Sequence, residues 1–333
     1  MDDSRIDAAS KQTPRPLVEI DGLTRHFDLG KGRRLHALDG VSLDIGAREI
    51  VGLVGESGSG KSTLGKTVIG LHDKTAGSVR WRGETLPARY RAADFRRLAK
   101  RMQMIFQDPY SSLNPRMTVG EIIGEGLHLH TTLSGAAIRD QVAHWLRRVG
   151  LEPDHMGRYP HEFSGGQRQR IGIARALILE PEFVVCDEPI SALDVSVQAQ
   201  VVRLLGELQQ TLGLTLLFIA HDLSMVRYLS NRMAVMYLGA LVEVGPADDV
   251  YFHPKHPYTE LLIGSNPEPD PARERKRATT TLAGEIPSPL NVPPGCRFAS
   301  RCPKVMERCH RERPELLPLK EFPQRQVACH LYA

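Results

Sequence analysis

The chain has 333 residues, enough for two domains of ordinary size with a sizeable core. Apolar residues make up 41% and charged residues 25%, a globular composition that excludes disordered, collagen-like and coiled-coil proteins. The 43 basic and 39 acidic side chains leave a net charge of +4, which is too small to indicate a nucleic-acid partner by itself.

The start of the chain predicts a leader and a cytosolic location. Residues 1–16 lack hydrophobic periodicity, so we expect them to form a flexible leader. They are acidic and then polar, without the apolar core of a secretory signal. The most apolar stretch, residues 212–220, is too short to cross a bilayer and runs directly into His221 and Asp222. In a reducing cytosol the five cysteines should be thiols or metal ligands rather than disulfides.

Apolar runs and helical patterns beyond the leader predict an α/β fold. Runs bounded by turns predict strands at residues 17–20, 41–45, 50–54, 102–106, 183–186 and 215–219. The later strands alternate with helical patterns, which indicates parallel pairing through helical crossovers. We divide the chain into a main domain over 17–253, with a helical subdomain inserted at about 86–166, and a C-terminal appendage over 254–333. The appendage contains a Pro-rich, basic linker and then four of the five cysteines.

A phosphate-binding loop is predicted directly after the strand at 50–54. The segment fits G-x-x-x-x-G-K-[ST] and is followed by a helical pattern over 63–71, the structural context that this motif requires. Glycines let backbone N–H groups converge on phosphate oxygens, Lys61 adds a positive charge, and Ser62 offers an oxygen to Mg²⁺. The alternative is a Gly-rich turn without a ligand. The candidate nucleotide-binding residues are Gly55, Glu56, Ser57, Gly58, Ser59, Gly60, Lys61, Ser62 and Thr63.

Two carboxylates after the strand at 183–186 predict the second half of this site. Asp187 can hold Mg²⁺ through water, and Glu188 can accept a proton from the water that attacks the γ-phosphate. Alone, such a pair could simply solvate a strand end or cap a helix. Together with the loop at 55–62, it indicates a nucleotide site. Cys186 lies within the apolar run, which indicates a small core residue.

Four further segments resemble motifs of the ABC ATPases. Residues 163–170, FSGGQRQR, place Ser164 and two glycines before a helical pattern, which makes a second anion site. They resemble the signature motif of that family, with Phe at a position where Leu is most common. Gln107 resembles the Q-loop, residues 191–194 resemble the D-loop, and His221 resembles the switch histidine. Alone, His221 would be more typical of a structural histidine, but six motifs in family order favour the resemblance.

This resemblance covers about residues 17–333 and implies a fold and a mechanism. The fold is an α/β P-loop NTPase of the ABC ATPase cassette type, with a mixed-sheet core, a helical subdomain and a small C-terminal appendage. Two cassettes are implied to pair head to tail, so that the signature segment of one closes on ATP held by the P-loop of the other. The implied nucleotide contacts outside the P-loop are Phe27, Ser164, Gly165, Gly166, Gln167 and Asp194.

The same resemblance implies roles for individual residues. Glu188, His221 and Gln107 are expected to be catalytic, and Ser62, Gln107 and Asp187 are expected to hold Mg²⁺. Gln107 would also link the Mg²⁺ site to the membrane subunits, while His221 would contact the γ-phosphate. Phe27 would stack on adenine, with ordinary strand burial as the alternative.

Longer segments resemble the ATP-binding subunits of bacterial dipeptide and oligopeptide importers. These segments are residues 106–123, 161–177, 253–262 and 284–303, and the first two resemble the F-type subunit more than its D-type partner. The implied partners are a second, non-identical ATP-binding subunit, two transmembrane permeases and, indirectly, a periplasmic or lipid-anchored solute-binding protein, with no nucleic acid. The chain would then be an ATP hydrolase at the cytoplasmic face of the inner membrane, with ATP and Mg²⁺ as its cofactors.

Three alternatives stay open at this point. Sibling importers for nickel or glutathione use close variants of these segments. A soluble ABC ATPase acting on ribosomes or DNA would usually carry tandem cassettes or a long coiled coil, and this chain has one P-loop and no heptad run. A small-molecule kinase would leave the signature segment and Gln107 without a role.

Four cysteines of the appendage, Cys296, Cys302, Cys309 and Cys329, suggest a metal centre. Their intervals of 5, 6 and 19 residues match neither the usual zinc pairs nor the standard ferredoxin run, so spacing does not decide the metal. The surrounding GCRFASRCP resembles the C-terminal domain of peptide-importer ATPases, some of which carry a 4Fe-4S cluster. Zinc, or four packed thiols without metal, are the alternatives. We expect any such centre to be structural and far in sequence from the ATP motifs.

Overall fold

The computed structural model of the chain describes residues 15–265 and 287–333. Most of the predicted leader and most of the predicted basic linker lie outside the described residues. The strands are β1 (Val18–Asp28), β2 (Arg34–Ile45), β3 (Ile50–Val54), β4 (Ala76–Trp81), β5 (Glu84–Thr85), β6 (Met102–Ile105), β7 (Phe183–Asp187), β8 (Thr215–Ile219), β9 (Arg232–Tyr237), β10 (Ala240–Pro246), β11 (Leu317–Pro318) and β12 (Gln326–Val327).

The helices lie between these strands along the chain. They are α1 (Lys61–Val68), α2 (Ala92–Leu98), α3 (Pro109–Ser112), α4 (Val119–His130), α5 (Gly135–Arg148), α6 (Gly165–Leu177), α7 (Val195–Leu212), α8 (Leu223–Leu229), α9 (Ala247–Phe252), α10 (Pro257–Gly264) and α11 (Glu307–Arg311). Short 3₁₀ turns lie at Pro153–Gly157, Pro160–Glu162 and Ala299–Arg301. Within the described ranges, no helix combines the length and the apolar character needed to cross a membrane.

Parallel strands form the centre of the main sheet. Strands β6, β7, β8, β3 and β9 lie side by side in that order and run parallel, with Asp187 of β7 opposite Ile219 of β8. Beyond β9, strands β10, β12 and β11 continue the sheet in antiparallel pairing. A separate antiparallel sheet has the strand order β2, β1, β4, β5. The predicted mixed α/β core is therefore confirmed.

The central strands are buried on both faces. In β3, Ile50 and Val54 pack into the core cluster on one side, whereas Val51 and Leu53 pack into the cluster on the other. Helices α4 to α7 contribute to the first cluster, and the antiparallel sheet with α1 contributes to the second. Continuous apolar runs are typical of such strands, and for this reason the runs at 50–54 and 215–219 coincide with β3 and β8. Cys186 in β7 is 0% exposed, which confirms the prediction of a core residue.

The first part of the interval predicted as a helical insertion, residues 86–105, packs with the two sheets. Strand β6 is an edge strand of the main sheet, paired with β7. Before it, Leu86 and Leu98 pack into the core cluster of the antiparallel sheet. After it, α4, α5 and α6 pack around the buried Trp145. The helical layer thus begins at Pro109. The sequence did not reveal this boundary, because β6 has only four residues and its pattern does not show that it joins the main sheet.

A buried ion pair fastens the end of the chain to the main sheet. Strand β12 pairs with β10, and Arg325 donates to the carboxylate of Glu243 at 2.7 Å. Glu243 is 0% exposed and also accepts hydrogen bonds from the N–H groups of Lys255 and His256, at 3.0 and 2.9 Å. Because one carboxylate binds three groups, it joins β10, β12 and the residues that precede α10.

We expect Arg325→Met to loosen the appendage and to lower the free energy of unfolding by about 3–5 kcal/mol, since Glu243 would keep a buried charge without its partner. Denaturation in guanidinium chloride measures the loss, and limited proteolysis identifies the loosened segment. Arg308→Met is the matched control, because Arg308 pairs with Glu312 on an exposed helix turn and contributes little. Equal stability of the two variants would contradict the fastening role of Arg325.

Candidate functional site

The predicted catalytic groups meet at one edge of the main sheet. The loop that begins at Gly55 follows β3, Gln107 follows β6, Asp187 ends β7 and His221 follows β8. These strands are neighbours in the order β3, β8, β7, β6 and run parallel, so their carboxyl ends coincide. Ligands of open α/β sheets bind at this edge. The topology therefore brings together groups that are far apart in the sequence.

Two glycines let the phosphate-binding loop approach its neighbouring strands. Gly55 has a φ angle of 151° and Gly60 has a φ angle of 105°. A Cβ atom on Gly55 would lie 2.1 Å from the carbonyl oxygen of Met236, and one on Gly60 would lie 2.3 Å from that of Ala37. Because both contacts are with backbone atoms, only glycine fits at either position. The loop is therefore packed between β9 and β2.

The other loop residues divide between solvent and protein. Ser57 and Gly58 are exposed. Ser59 is 4% exposed, and its carbonyl oxygen accepts from the N–H of Gly239 at 2.8 Å. Thr63 is partly buried in the first turn of α1. The exposed tip and the fixed base together leave the loop open to a ligand on one side.

Lys61 is a buried cation at the start of α1. Its ammonium group donates to the carbonyl oxygens of Gly55 at 2.8 Å and Glu56 at 3.0 Å, and the residue is 4% exposed. Burial lowers the pKa of Lys61, while the negative charges of Glu188 and Asp187 oppose that shift. Directed along the loop, the ammonium group can offer its charge to a phosphate held by the loop N–H groups.

Ser62 and Asp187 have the oxygen chemistry that Mg²⁺ requires. The hydroxyl of Ser62 donates to Oδ1 of Asp187 at 2.6 Å, and Nζ of Lys66 lies 3.7 Å from Oδ2. Asp187 is 1% exposed. Protein-bound Mg²⁺ takes one or two protein oxygens and fills its other positions with water and phosphate oxygens. Two adjoining oxygens beside the phosphate-binding loop fit that pattern, so the residues present suit the predicted ion.

Glu188 lies between Gln107 and His221. Its Oε2 atom accepts from Nε2 of Gln107 at 2.8 Å and lies 4.0 Å from Nδ1 of His221. The Glu188 backbone has a φ angle of 45°, and its N–H donates to the carbonyl oxygen of Ile219 at 3.0 Å. The carboxylate is 17% exposed, whereas the side chain of His221 is 60% exposed. A carboxylate fixed in this way can accept a proton from a water molecule at the open side of the site.

The predicted signature segment begins α6 at the surface. The hydroxyl of Ser164 accepts from the N–H of Gln167 at 3.3 Å, and Oε1 of Gln167 accepts from the N–H of Ser164 at 3.0 Å, a reciprocal capping box. A Cβ atom on Gly166 would lie 2.5 Å from a methyl carbon of Val197, so glycine permits the close packing of α6 on α7. Gly165, between Ser164 and Gly166 in the sequence, is partly buried. In the described part of the chain, no hydrogen bond joins this segment to the phosphate-binding loop.

Two other predicted nucleotide contacts, Phe27 and Asp194, are accessible. The guanidinium group of Arg25 lies 4.3 Å from the centre of the Phe27 ring, and the ring of His72 is nearly perpendicular to that of Phe27, with the two ring centres 5.4 Å apart. Phe27 is only partly buried, and Asp194 is exposed where it precedes α7. Partial burial is compatible with both stacking and strand packing, so the role of Phe27 stays a prediction.

The structure adds two residues that sequence reasoning missed. Arg301 donates two hydrogen bonds to the carboxylate of Glu56, at 2.8 and 2.9 Å. The hydroxyl of Tyr258 accepts from the N–H of Glu56 at 2.8 Å. Both residues belong to the appendage, which is far from the phosphate-binding loop in the sequence and contacts it in the structure. Separations of 245 and 202 residues from Glu56 provide no spacing signal that could have revealed these contacts.

The four cysteines of the appendage do not form a compact site for one metal ion in the described part of the chain. The N–H of Cys296 donates to the carbonyl oxygen of Cys309 at 2.7 Å. Burial raises the pKa of Cys296 to about 11 and also raises the pKa values of Cys302 and Cys329. Cys309 is buried, and the other three cysteines are partly buried. Among the described residues, however, no three of these sulfurs lie within 4.8 Å of one another, as a single zinc ion would require.

Two family models match the sequence. The model described as ABC transporter matches residues 38–191, a range that contains the phosphate-binding loop, Gln107, the signature segment and Glu188. The model described as Oligopeptide/dipeptide transporter, C-terminal region, matches residues 242–309, a range that contains Tyr258 and Arg301.

Curated relatives match over nearly the whole chain. The putative oligopeptide transport ATP-binding protein YkfD of Bacillus subtilis is 55% identical over 318 residues, which cover 95% of this chain and 96% of the relative. The oligopeptide transport ATP-binding protein OppF of Salmonella typhimurium is 52% identical over 309 residues, which cover 90% of this chain and 92% of that relative.

Solved structures of ATP-binding cassettes share the fold. The dimeric, post-hydrolysis state of the ATP-binding cassette MJ0796 bound to ADP and Pi has a TM-score of 0.64 and 27% identity, and covers 69% of this chain and 98% of its own. The protein cbiO1 from Clostridium perfringens, part of the ABC transporter complex cbiONQ, has the same TM-score of 0.64 and 27% identity, and covers 72% of this chain and 92% of its own.

Proposed function

The chain belongs to the ABC transporter family of ATP-binding proteins, and from this premise we propose that it hydrolyses ATP to power a bacterial importer of dipeptides or oligopeptides. The names of the two relatives and the description of the C-terminal family model support a peptide substrate. The relative named OppF also supports assignment as the F-type subunit of such an importer. Sibling importers of nickel or glutathione stay as outcomes of the test below.

One observation carries the hydrolytic part of this proposal. The hydroxyl of Ser62 and the carboxylate of Asp187 are 2.6 Å apart, beside a loop whose cation is Lys61. Glu188 directly follows Asp187, and its carboxylate accepts a hydrogen bond from Gln107 at 2.8 Å. An oxygen site for a divalent ion next to a proton acceptor and an anion-binding loop is what phosphoryl transfer to water requires.

The residues of the proposed site divide the work of binding and hydrolysis. The loop N–H groups and Lys61 bind the phosphates. Ser62, Gln107 and Asp187 would hold Mg²⁺, which neutralises negative charge on the phosphates when it is bound. Glu188 accepts a proton from water as the water oxygen bonds to the γ-phosphorus and the bond from that phosphorus to the β-phosphate oxygen breaks. Gln107 orients the Glu188 carboxylate, and His221 contacts the γ-phosphate.

We also propose that the chain acts in a pair of cassettes, the second of which is non-identical. The signature segment lies at the surface and makes its capping hydrogen bonds within its own turn, so the N-terminus of α6 is accessible to ATP on a partner. The cassette MJ0796 was solved as a dimer, which supports such pairing. Two permeases and, indirectly, a solute-binding protein would complete the importer at the cytoplasmic face of the inner membrane.

Copurification and stimulation of ATPase activity test the transport role. A tagged copy expressed from its own locus should copurify with two permeases and a second cassette. In lipid vesicles, peptide-loaded binding protein should stimulate ATP hydrolysis by this complex several-fold. Stimulation by nickel-loaded or glutathione-loaded binding protein alone would assign a sibling importer, and copurification with ribosomes instead of permeases would contradict the transport role.

Substitution of Glu188 by Gln should keep ATP binding and reduce hydrolysis by a factor of about 10² to 10⁴. The amide keeps the size of the side chain and an oxygen that accepts from Gln107, but it cannot take a proton. Binding and turnover should be measured on the same preparation of the assembled complex. Turnover near that of the wild type at full occupancy would remove Glu188 from the role of proton acceptor.

Two further variants separate loss of the proton acceptor from other effects. Glu207→Gln removes an exposed carboxylate that pairs with Arg203 on α7, and turnover should not change. Lys61→Ala should lose ATP binding itself, because it removes a compact cation from the phosphate-binding loop.

For the appendage we propose a 4Fe-4S cluster held by the thiolates of Cys296, Cys302, Cys309 and Cys329. The backbone hydrogen bond from Cys296 to Cys309 and the full or partial burial of all four cysteines support the proposal. In such a cluster each thiolate binds a different iron atom, so the sulfurs need not converge on one ion. Zinc would need sulfurs closer together than these, and metal-free packing is the other alternative.

Metal analysis after anaerobic purification tests this proposal. We expect iron and sulfide in equal amounts, lost in Cys302→Ser and kept in Cys186→Ala, whose cysteine lies in the core of the main sheet. Zinc without iron would contradict the cluster. Metal-free protein with a protease-resistant appendage would contradict both kinds of metal site.

A further inference from the structure

Arg301 connects the appendage to the phosphate-binding loop through a buried ion pair. Its guanidinium group donates to both carboxylate oxygens of Glu56, at 2.8 and 2.9 Å. The side chain of Arg301 is 4% exposed and that of Glu56 is 17% exposed. A bidentate pair fixes the direction of a carboxylate as well as compensating its charge. Because Glu56 is the second residue of the loop, this pair ties the loop to the appendage.

A second contact from the appendage fixes the backbone of the same residue. The hydroxyl of Tyr258 accepts from the N–H of Glu56 at 2.8 Å. Tyr258 is 0% exposed, and its ring packs against the rings of Tyr237 and Phe298, with centres 4.6 and 5.4 Å away. Arg301 also donates to the hydroxyl of Tyr237 at 3.3 Å. One buried cluster thus holds both the side chain and the N–H of Glu56.

The backbone of Glu56 contacts the cation that is proposed to bind phosphate. The carbonyl oxygen of Glu56 accepts from Nζ of Lys61 at 3.0 Å and from the N–H of Ser59 at 3.2 Å. The charge of the Glu56 carboxylate also acts on the Lys61 ammonium group. Without a cation of its own, this carboxylate would compete with phosphate for Lys61 and would repel the phosphate directly. Arg301 supplies that cation.

We infer that Arg301 is a positioning residue for ATP binding, which compensates the charge of Glu56 and, with Tyr258, holds the phosphate-binding loop in shape. The inference rests on the proposed ATPase function. It gives the appendage a role in the nucleotide site of its own chain. The residue acts through Glu56 and not by contact with the reacting atoms.

Arg301→Met in the full-length chain tests the inference. Met keeps much of the side-chain volume but leaves the Glu56 charge without a partner, so ATP affinity should fall about tenfold. The turnover number at saturating ATP should stay within about threefold of the wild type, because the proton acceptor is untouched. Addition of Glu56→Gln should restore affinity to within about threefold, since no unpaired charge remains. Arg301→Lys should be intermediate, because it keeps the charge and loses the bidentate geometry.

Fluorescent-nucleotide titration measures affinity, and circular dichroism confirms folding of each variant. Lys304→Met is the matched control, because Lys304 lies three residues after Arg301 and forms an exposed ion pair with Glu260. This variant should bind ATP with unchanged affinity. The inference is overturned if Arg301→Met binds ATP like the wild type, or if the folded double variant binds as weakly as Arg301→Met. If Lys61→Ala also binds ATP like the wild type, the proposed function itself fails.

Discussion

Burial of the central strands on both faces is the constraint on which the functional edge depends. Strands β3, β7 and β8 are enclosed between two layers, where a charged side chain would lose its hydration without gaining a partner. Charged and titratable groups therefore come where these strands end: Lys61 after β3, Asp187 at the end of β7 and His221 after β8. Parallel pairing then aligns the ends. The same burial that stabilises the sheet thus concentrates the polar groups that make up the proposed site.

Charge balance at that edge follows from the same burial. Burial lowers the pKa of Lys61, and the negative charges of Glu188 and Asp187 oppose this shift and favour the charged ammonium form. The loop that is proposed to bind phosphate also contains Glu56, and an unpaired carboxylate there would repel a bound anion. The bidentate pair with Arg301 removes this conflict, because it converts a free carboxylate into a fixed, neutral pair. The positive charge of Lys61 in the loop is therefore left uncancelled only because Arg301, far along the chain, pairs with Glu56.

Most of the edge could be predicted because its signals are local. The apolar run at 50–54 leads directly into the glycine pattern, and β3 ends at Val54. The bond from Ser62 to Asp187 follows from two local motifs once parallel pairing is assumed. The contacts of Arg301 could not be predicted, because they depend on how the end of the chain folds back. Strands β11 and β12, two residues each, are too short to carry a periodic pattern.

The contact between appendage and loop changes the interpretation of the cysteine segment. Cys302 directly follows Arg301, and Phe298, two residues after Cys296, packs against Tyr258. Whatever fixes this segment, whether thiol packing or metal, also fixes the cation that compensates Glu56. In the proposed pair of cassettes, the signature segment of α6 would act on ATP held by the partner, whereas the appendage acts on the loop of its own chain. The two sides of each ATP site would therefore depend on different parts of the fold, one in the helical layer and one at the end of the chain.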